Sequence, residues 1–356
     1  MKSFLFAFIV CYFSMPAFAQ ESIPEELMGS WLSRENNAWK YGFYSHFAMV
    51  DGDFYDYSSI RVKRKKTILR LKKEDEEMDL IITPNREGTI EVIAPSDTKA
   101  VFSREHVESP DYAFYEEDGF KEPIINPAAF HLSGFIDGYD PEEEDYKFVN
   151  VIYNHLLEGD QIVHLAQLDS MGRFSMDFPL MNPQEIMFKF GNKLVGLFAV
   201  PGSELMISVN KESAALLFAG REGLLNTELD GYVRNLLQML DFDLNSQQIE
   251  KLRQNDYSKF RLGKMTEQLE DLKKYSVKHR SSKKFREQME SRIKYMAAND
   301  LMRYRWLHDP KENETLSDEY MAFLEIIPLN NPLALLTHNY SAFLNEYSMH
   351  VTAAAA

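Results

Sequence analysis

Cysteine is almost absent from this sequence: Cys11 is the only one among 356 residues. Thiol–disulfide exchange needs one thiolate that attacks and a second cysteine that resolves the mixed disulfide. The chain contains no such pair, so a C-x-x-C centre formed by this chain alone is excluded. If a leader that contains Cys11 is removed, cysteine-nucleophile chemistry is excluded as well.

Positive charge is also scarce, with 39 Lys and Arg against 55 Asp and Glu and a formal net charge of −16. Such a surface repels phosphate backbones, so nucleic acid is not a predicted partner. The most basic segment, 61–73, holds eight Lys or Arg residues, and the acidic segment 74–77 follows it directly. Because the two segments neutralise each other within a Debye length of about 8–10 Å, they predict a hairpin with a basic solvent face and an acidic turn.

Long apolar runs are missing beyond the N-terminus, so no integral membrane span is predicted. The segment 1–19 has the pattern of a signal peptide, with an apolar stretch over 4–13 and the small-residue motif Ala-Phe-Ala at 17–19 before Gln20. The residues just before Cys11 are large, unlike those of a lipoprotein anchor. We therefore expect an exported, periplasmic protein of the cell envelope.

Signatures of metal, cofactor and hydrolase sites are missing too. The nine histidines show no H-E-x-x-H spacing and no pair within four positions. The acidic run 142–145 lacks the spacer residues and the glycine of a calcium loop. No P-loop, dinucleotide fingerprint or G-x-S-x-G elbow is present. The sequence thus predicts no metal, no cofactor and no catalytic residue, and an unrecognised hydrolase is kept only as a third hypothesis.

What the sequence does contain is strong β patterning in its first half. Apolar and aromatic residues alternate with polar ones from residue 23 onward, and Gly and Asp mark the turns. This pattern predicts an antiparallel β domain, a meander, over 20–108. Three prolines then indicate a linker over 109–128.

A second β region is predicted over 129–212. Seven short strands with turn signals every 8–12 residues are typical of a small immunoglobulin-like β-sandwich. The strands are predicted at His131–Ile136, Lys147–Asn154, Gln161–Leu168, Arg173–Phe178, Ile186–Phe190, Leu194–Val200 and Leu205–Val209.

The hydrophobic period changes from 2 to 3.6 after Ala219, which predicts a helical domain over 213–350 and a short tail over 351–356. Helices are expected from Leu225 to Leu240 and over 256–278, 282–307, 317–326 and 332–347. The predicted fold class is therefore a mainly β N-terminal half, a meander plus an immunoglobulin-like sandwich, followed by an α-helical bundle in a multidomain α+β chain.

The order of these elements resembles the N-terminal region of long thiol–disulfide oxidoreductases of the TlpA type. The segments that carry the resemblance in the sandwich are 133–139 (SGFIDGY), 151–157 (VIYNHLL) and 169–174 (DSMGRF). A Pro-Gly turn at 200–203 leads to the last predicted strand, as in that family, although Ser203 stands where the family usually has Asp. The helical segments 295–304 and 340–347 are similar to its linker region.

The resemblance implies an envelope protein whose activity resides in a C-terminal thioredoxin domain with a C-x-x-C pair, which this chain lacks. No catalytic position carries over. The leading hypothesis is therefore a non-catalytic region that recognises or positions an envelope protein partner or the missing thioredoxin domain. Met296, Arg303 and Tyr304, on the longest apolar-striped helix, form a candidate partner surface, with interhelical core packing as the alternative.

A periplasmic small-molecule binding protein, for a lipid or a glycan, is the alternative function. Its candidate ligand-binding residues are Trp39, Tyr41, Tyr55 and Tyr57 on the aromatic face of the first β domain. The segment Gly29–Trp31 also has the Gly-x-Trp pattern of the first strand in lipocalins. Simple core packing is the other interpretation of the same aromatic residues.

Overall fold

The computed structural model describes residues 22–355, except 86, 96–98, 108–118, 122–123, 144–146, 156, 214, 240–241 and 309–314. The predicted signal peptide, 1–19, and most of the predicted linker lie outside the described residues. The described part is a β-rich N-terminal half followed by helices. This confirms the predicted mixed α+β class.

The first β domain is an antiparallel barrel of eight strands in which each strand pairs with the next. The strands are β1 (Gly29–Ser33), β2 (Trp39–Phe43), β3 (Ala48–Val50), β4 (Asp53–Lys63), β5 (Lys66–Lys73), β6 (Glu76–Pro84), β7 (Ile90–Ile93) and β8 (Lys99–Ser103). The meander prediction did not include closure, which comes from the pairing of Leu32 in β1 with Ser103 in β8. A barrel of eight strands is just wide enough for side chains to fill its interior.

The basic and acidic segments of the barrel face each other across β5 and β6. Lys73 pairs with Glu76 in the strand register, and Arg70 Nε donates to Asp79 Oδ1 over 2.8 Å. The acidic turn follows β5, whereas the turn before β5 is basic and places Arg64 at a φ of +57°. The prediction of an exposed, charge-balanced hairpin is confirmed, with the acidic turn at its β5–β6 end.

The second β domain is a sandwich of two four-stranded sheets. Its strands are β9 (Ala128–Asp137), β10 (Phe148–Asn154), β11 (Gln161–Gln167), β12 (Arg173–Leu180), β13 (Gln184–Phe190), β14 (Lys193–Ala199), β15 (Glu204–Asn210) and β16 (Leu216–Ala219). The sheet orders are β11-β10-β13-β14 and β12-β9-β15-β16, and β9 and β15 run parallel. All seven predicted strands are present. The eighth, β16, lies beyond the predicted boundary because four consecutive apolar residues show no period of two.

Two of the segments that carry the family resemblance, 133–139 and 169–174, lie side by side on the paired strands β9 and β12. A Cβ added at Gly134 would lie 2.1 Å from the carbonyl oxygen of Ile207, so only glycine fits between β9 and β15. Gly172, at a φ of +74°, packs directly under the side chain of Tyr139. These motif residues therefore have structural roles in the sandwich.

The helical domain follows β16 and surrounds one long central helix. The helices are α1 (Gly223–Met239), α2 (Phe242–Lys251), α3 (Gln254–His279), α4 (Lys283–Leu307), α5 (Asp318–Met321) and α6 (His338–Ala355), with 3-10 turns at Glu25–Leu27, Ala322–Glu325 and Pro332–Leu336. Helix α2 was not predicted. The helix predicted over 332–347 combines the 3-10 turn at 332–336 with the start of α6, which continues through the predicted tail as far as Ala355.

Helix α4 is the centre of this domain. Its first turn is capped by Ser282, whose Oγ accepts a hydrogen bond from the backbone N of Phe285 over 3.2 Å. Met289, Ile293 and Leu301 follow on the same face as Phe285, and all four side chains are fully buried. This is the stripe that the period of 3.6 predicted, and it packs among α1, α3 and α6.

The three units contact one another through buried side chains. An apolar cluster that includes Trp39 of the barrel and Phe135 of the sandwich joins these two units. On the helical side, the Asn226 side chain of α1 hydrogen-bonds both the N (2.8 Å) and the O (2.9 Å) of Phe198 in β14. These contacts hold α1 along the β14 edge of its sheet.

None of the helices in the described part of the chain combines the length and the apolar character needed to cross a membrane.

Candidate functional site

The aromatic residues proposed as one ligand-binding face have different surroundings. Tyr41 and Tyr55 belong to the packed barrel core, where they are 5% and 6% exposed. Trp39 belongs to the cluster between barrel and sandwich, and its Nε1 donates to the carbonyl oxygen of Tyr41 over 2.9 Å. Tyr57 is half-buried at the margin of the core, and its hydroxyl donates to the carbonyl oxygen of Tyr44. The four side chains are thus divided among core, margin and interface.

The proposed partner surface on α4 is also divided. Tyr304 is fully buried, and its ring stacks on Tyr257 with centroids 5.3 Å apart. Met296 and Arg303 are half-buried, and the Arg303 guanidinium lies 4.8 Å from the ring centre of Trp306. Of the three proposed residues, Tyr304 is a core residue, and only Met296 and Arg303 retain a partly exposed side chain.

A groove of about 660 Å³ lies between one sandwich sheet and the helices. Its floor is the outer face of β10, β13 and β14, where the strand register places Ile152, Met187 and Gly196 in one row. An added Cβ at Gly196 would meet no atom within 4 Å, so the floor is open at this point. The wall consists of Asn226, Leu229 and Val233 of α1, Gln288 and Arg292 of α4, and His338 of α6.

Exposed apolar side chains continue this floor to the edge of the sheet. We call the outer side chains of β10, β11, β13 and β14 the outer sheet face. Val163 of β11 pairs with Ile152 in the register and is 58% exposed, and Leu165 is 60% exposed. Phe148 and Leu194 are exposed on the same face. Contiguous exposed apolar surface of this kind marks interaction sites in soluble proteins.

A cluster of polar side chains closes one end of the groove. The Oε1 atom of Glu185 in β13 accepts hydrogen bonds from Gln288 Nε2 and Arg292 Nη1, both over 3.0 Å, and its Oε2 atom is bonded to His338 Nδ1. We call this group the Glu185 latch, because it ties the sandwich to α4 and α6. The Oε1 atom of Gln288 is buried and has no hydrogen-bond partner among the described residues.

The latch shifts the pKa values of its two titrating members in opposite directions. Burial raises the pKa of the Glu185 carboxyl, but the hydrogen bond from His338 and the charge of Arg292 outweigh burial and hold this pKa below its ordinary 4.5. The hydrogen bond to Glu185 raises the pKa of His338 above its ordinary 6.5. Both groups therefore favour the charged state in the folded protein.

Substituting Glu185→Gln should weaken the attachment of the sandwich to the helices. We expect the free energy of unfolding to fall by about 2 kcal/mol, because charged hydrogen bonds to Arg292 and His338 are lost in a largely buried place. Urea unfolding measures the change. The matched control is Asp79→Asn, which breaks the half-exposed pair with Arg70 and should cost less than about 1 kcal/mol.

The effect of Glu185→Gln should depend on pH. The contribution of Glu185, whose folded pKa is lowered, is present above 4.5 and is lost as the pH falls through the folded value. The contribution of His338, whose folded pKa is raised, is present below 6.5 and is lost as the pH rises through the folded value. The stability difference between wild type and variant should thus be largest between pH 4.5 and 6.5. An equal difference at all pH values would contradict this account of the latch.

A second cavity, of about 380 Å³, lies where the barrel, β16, α1 and the turn between α3 and α4 meet. Burial raises the pKa of Glu228 on its wall to about 7, although hydrogen bonds from Ser282 lower it. The Glu228 carboxylate accepts from the backbone N of Ser282 over 2.7 Å and from its Oγ over 2.5 Å. Because both carboxylate oxygens hold the first turn of α4, we assign Glu228 a structural role.

The groove was not predicted from the sequence, because its residues come from five strands and three helices. The available signal was the strand at 161–167, where apolar residues occupy both faces of a strand predicted to pack on one side only. Among the residues that the structure describes, no group of three or more His, Cys, Asp or Glu is arranged to hold a metal ion.

Comparison with protein-family models, with curated proteins and with solved structures found no match to this chain. The outer sheet face and the groove are therefore the features from which a function can be inferred.

Proposed function

We propose that this chain is a non-catalytic recognition unit that binds an extended, apolar polypeptide segment in the groove. The observation that carries the proposal is the row formed by Val163, Ile152, Met187 and Gly196. This row crosses four strands, from the exposed edge of the sheet to the helical wall, and the Glu185 latch lies beside it. A bound segment would bury apolar surface that is now in contact with water.

The chemistry of the wall favours a polypeptide over a purely apolar ligand. The wall carries polar side chains beside its apolar ones, among them Arg292 of α4 and His338 of α6. An extended polypeptide presents backbone N–H and C=O groups along its length and places alternate side chains on one side. With a net charge of −16, this chain should prefer a neutral or basic segment.

The resemblance to TlpA-type proteins supports a cellular context for this role. We propose that the chain is exported to the periplasm and that it recognises or positions a substrate polypeptide or a thioredoxin domain in the envelope. We also propose that the sandwich is a relative of the immunoglobulin-like fold. Two packed sheets around one core support that relationship, whereas the eight strands and the parallel β9–β15 pair depart from the seven-stranded arrangement.

A labelled peptide tests the proposed function. The probe carries Leu at every second position among Lys, Ser and Thr, and the comparison peptide has Ser in place of each Leu. Fluorescence anisotropy should show binding of the Leu peptide only. The variant Gly196→Leu fills the open floor, and we expect it to weaken binding at least about tenfold, or about 1.4 kcal/mol.

The matched control for this variant is Gly263→Leu on α3, which is exposed and has nothing within 4 Å of an added Cβ. It should bind the peptide as the wild type does. Neither variant should melt below the wild type, because Leu favours a helix interior over Gly and the added side chain at Gly196 meets no neighbouring atom. If the wild type binds neither peptide, or if Gly196→Leu binds as tightly as Gly263→Leu, the proposed function is wrong.

Lipid or glycan binding is the second candidate, since ligand pockets commonly have volumes of about 300–1,000 Å³ and the groove lies in this range. The aromatic residues first proposed for it lie elsewhere, so the groove would be the site. A thermal-shift screen distinguishes the two functions. A lipid or glycan that stabilises the wild type but not Gly196→Leu would assign the groove to a small molecule.

A further inference from the structure

We propose that β11 pairs antiparallel with β11 of a second copy of this chain, so that two four-stranded sheets become one continuous sheet. Edge strands expose unpaired backbone N–H and C=O groups, and such strands associate unless they are protected. This inference goes beyond polypeptide binding in the groove, and it is tested separately.

The other three edges of the sandwich are protected. Edge strand β12 carries Arg173, Asp177 and Pro179, and charges and proline both oppose strand addition. Edge strand β14 begins with a charged residue, Lys193, and at Phe198 its backbone is bonded by Asn226 of α1. Edge strand β16 has only four residues and packs against α1 and β2.

Strand β11 has none of these protections. Its seven residues, Gln161–Gln167, include no Lys, Arg, Asp, Glu or Pro, and they pair with β10 without a bulge. In the part of the chain that the structure describes, β10 is the only strand that pairs with β11. Val163 and Leu165 are more exposed than buried, at 58% and 60%. β11 is thus a regular, uncharged edge with apolar side chains in solvent.

The sequence of β11 identifies a second copy as the occupant, because it is complementary to itself. In an antiparallel pair centred on His164, the facing residues are Gln161 with Gln167, Ile162 with Ala166, and Val163 with Leu165. Apolar residues then face apolar residues, and amides face amides at both ends. Two copies of net charge −16 repel each other over most of their surfaces. The uncharged strand β11 is a place where they can associate.

Sedimentation velocity over a range of protein concentrations tests the pairing. The wild type should shift from one chain of 41.4 kDa towards twice that mass as the concentration rises. The double variant Val163→Lys, Leu165→Lys should stay monomeric with an unchanged melting temperature. The control Val62→Lys changes an exposed valine of the barrel in the same way and should still dimerise. A monomeric wild type at 100 µM, or a dimer that survives the double variant, would overturn the proposal.

Disulfide trapping tests the register. In a Cys11→Ser background, one preparation carries Gln161→Cys and another carries Gln167→Cys. Residues directly opposite in an antiparallel pair lie close enough for a disulfide, so oxidation should link the mixed preparations and neither preparation alone. Linking of either one alone to the same extent would overturn the register centred on His164. Because Gln161 lines the groove, peptide binding is measured on the wild type and not on the cysteine variants, so it can fail or succeed independently of the trapping result.

Discussion

Gly134→Ala is expected to lower the free energy of unfolding by about 3 kcal/mol or more, at the upper end of the cost of overpacking a core. The new Cβ would lie 2.1 Å from the carbonyl oxygen of Ile207 and 2.9 Å from the Phe174 ring. The Ile207 oxygen cannot rotate away, because it is backbone of β15, which is held between β9 and β16. The parallel pair of β9 and β15 therefore has to separate.

Urea unfolding followed by circular dichroism measures this effect. The control is Gly196→Ala, which adds the same methyl group in the same sandwich where nothing lies within 4 Å. We expect the control to change the free energy of unfolding by less than about 0.5 kcal/mol. Equal midpoints for the two variants would mean that β9 and β15 are not in close backbone contact, and the sheet order β12-β9-β15-β16 would then be wrong.

The prediction also concerns the family resemblance, since Gly134 lies in the segment 133–139 that carries it. A glycine that is needed for strand packing identifies a sandwich geometry. It does not identify a chemical activity, and the same holds for Gly172 under Tyr139. If these residues reflect a relationship to TlpA-type proteins, the shared feature would be the sandwich fold and not a catalytic site. A shared fold of this kind agrees with a recognition role.

Local pattern was sufficient to predict most strands and helices of this chain. The stripe from Phe285 to Leu301 repeats every four residues and predicts the buried face of α4. Strands such as β5 alternate buried and exposed side chains, which gives a clear period of two. The segment 242–251 contains Asp243, Asn245 and Ser246, residue types that favour turns over helices, and α2 was missed for this reason.

The pairing of strands that are far apart in the sequence could not be predicted from local sequence patterns. Barrel closure depends on the pairing of Leu32 with Ser103, and the two residues are far apart in the sequence. The groove depends on which side of β13 faces α4, which is fixed by contacts such as that of Glu185 with Gln288. Neither contact has a sequence motif, so the candidate site became visible only when the folded units were placed together.

Tyr304 on α4 shows that local sequence pattern also cannot decide whether a single residue belongs to the core or to a partner surface. Met, Arg and aromatic side chains suit both a helix core and an adaptable interface, and sequence alone could not separate them. The structure places Tyr304 in the core, in ring contact with Tyr257 and Tyr320. Its hydroxyl donates to the carbonyl oxygen of Leu252 over 2.8 Å, so every polar and apolar part of the side chain has a partner within the domain.

Tyr304→Ala should therefore act through stability, and we expect the free energy of unfolding to fall by about 3–5 kcal/mol because a large buried ring is removed. Tyr304→Phe keeps the ring and loses one hydrogen bond, which should cost about 1 kcal/mol. The control Arg303→Ala removes the neighbouring half-buried side chain and should cost less than about 1 kcal/mol. Thermal and urea unfolding of the three variants give these values.

Peptide affinity decides whether Tyr304 has any further role. If Tyr304 is only a core residue, Tyr304→Phe should bind the Leu peptide with the wild-type dissociation constant, since the groove lies at the other end of α4 around Gln288 and Arg292. A variant that keeps its stability but loses peptide affinity would instead place the hydroxyl of Tyr304 in contact with a partner. That result would move the recognition site from the outer sheet face to α4, because no packing argument could account for it.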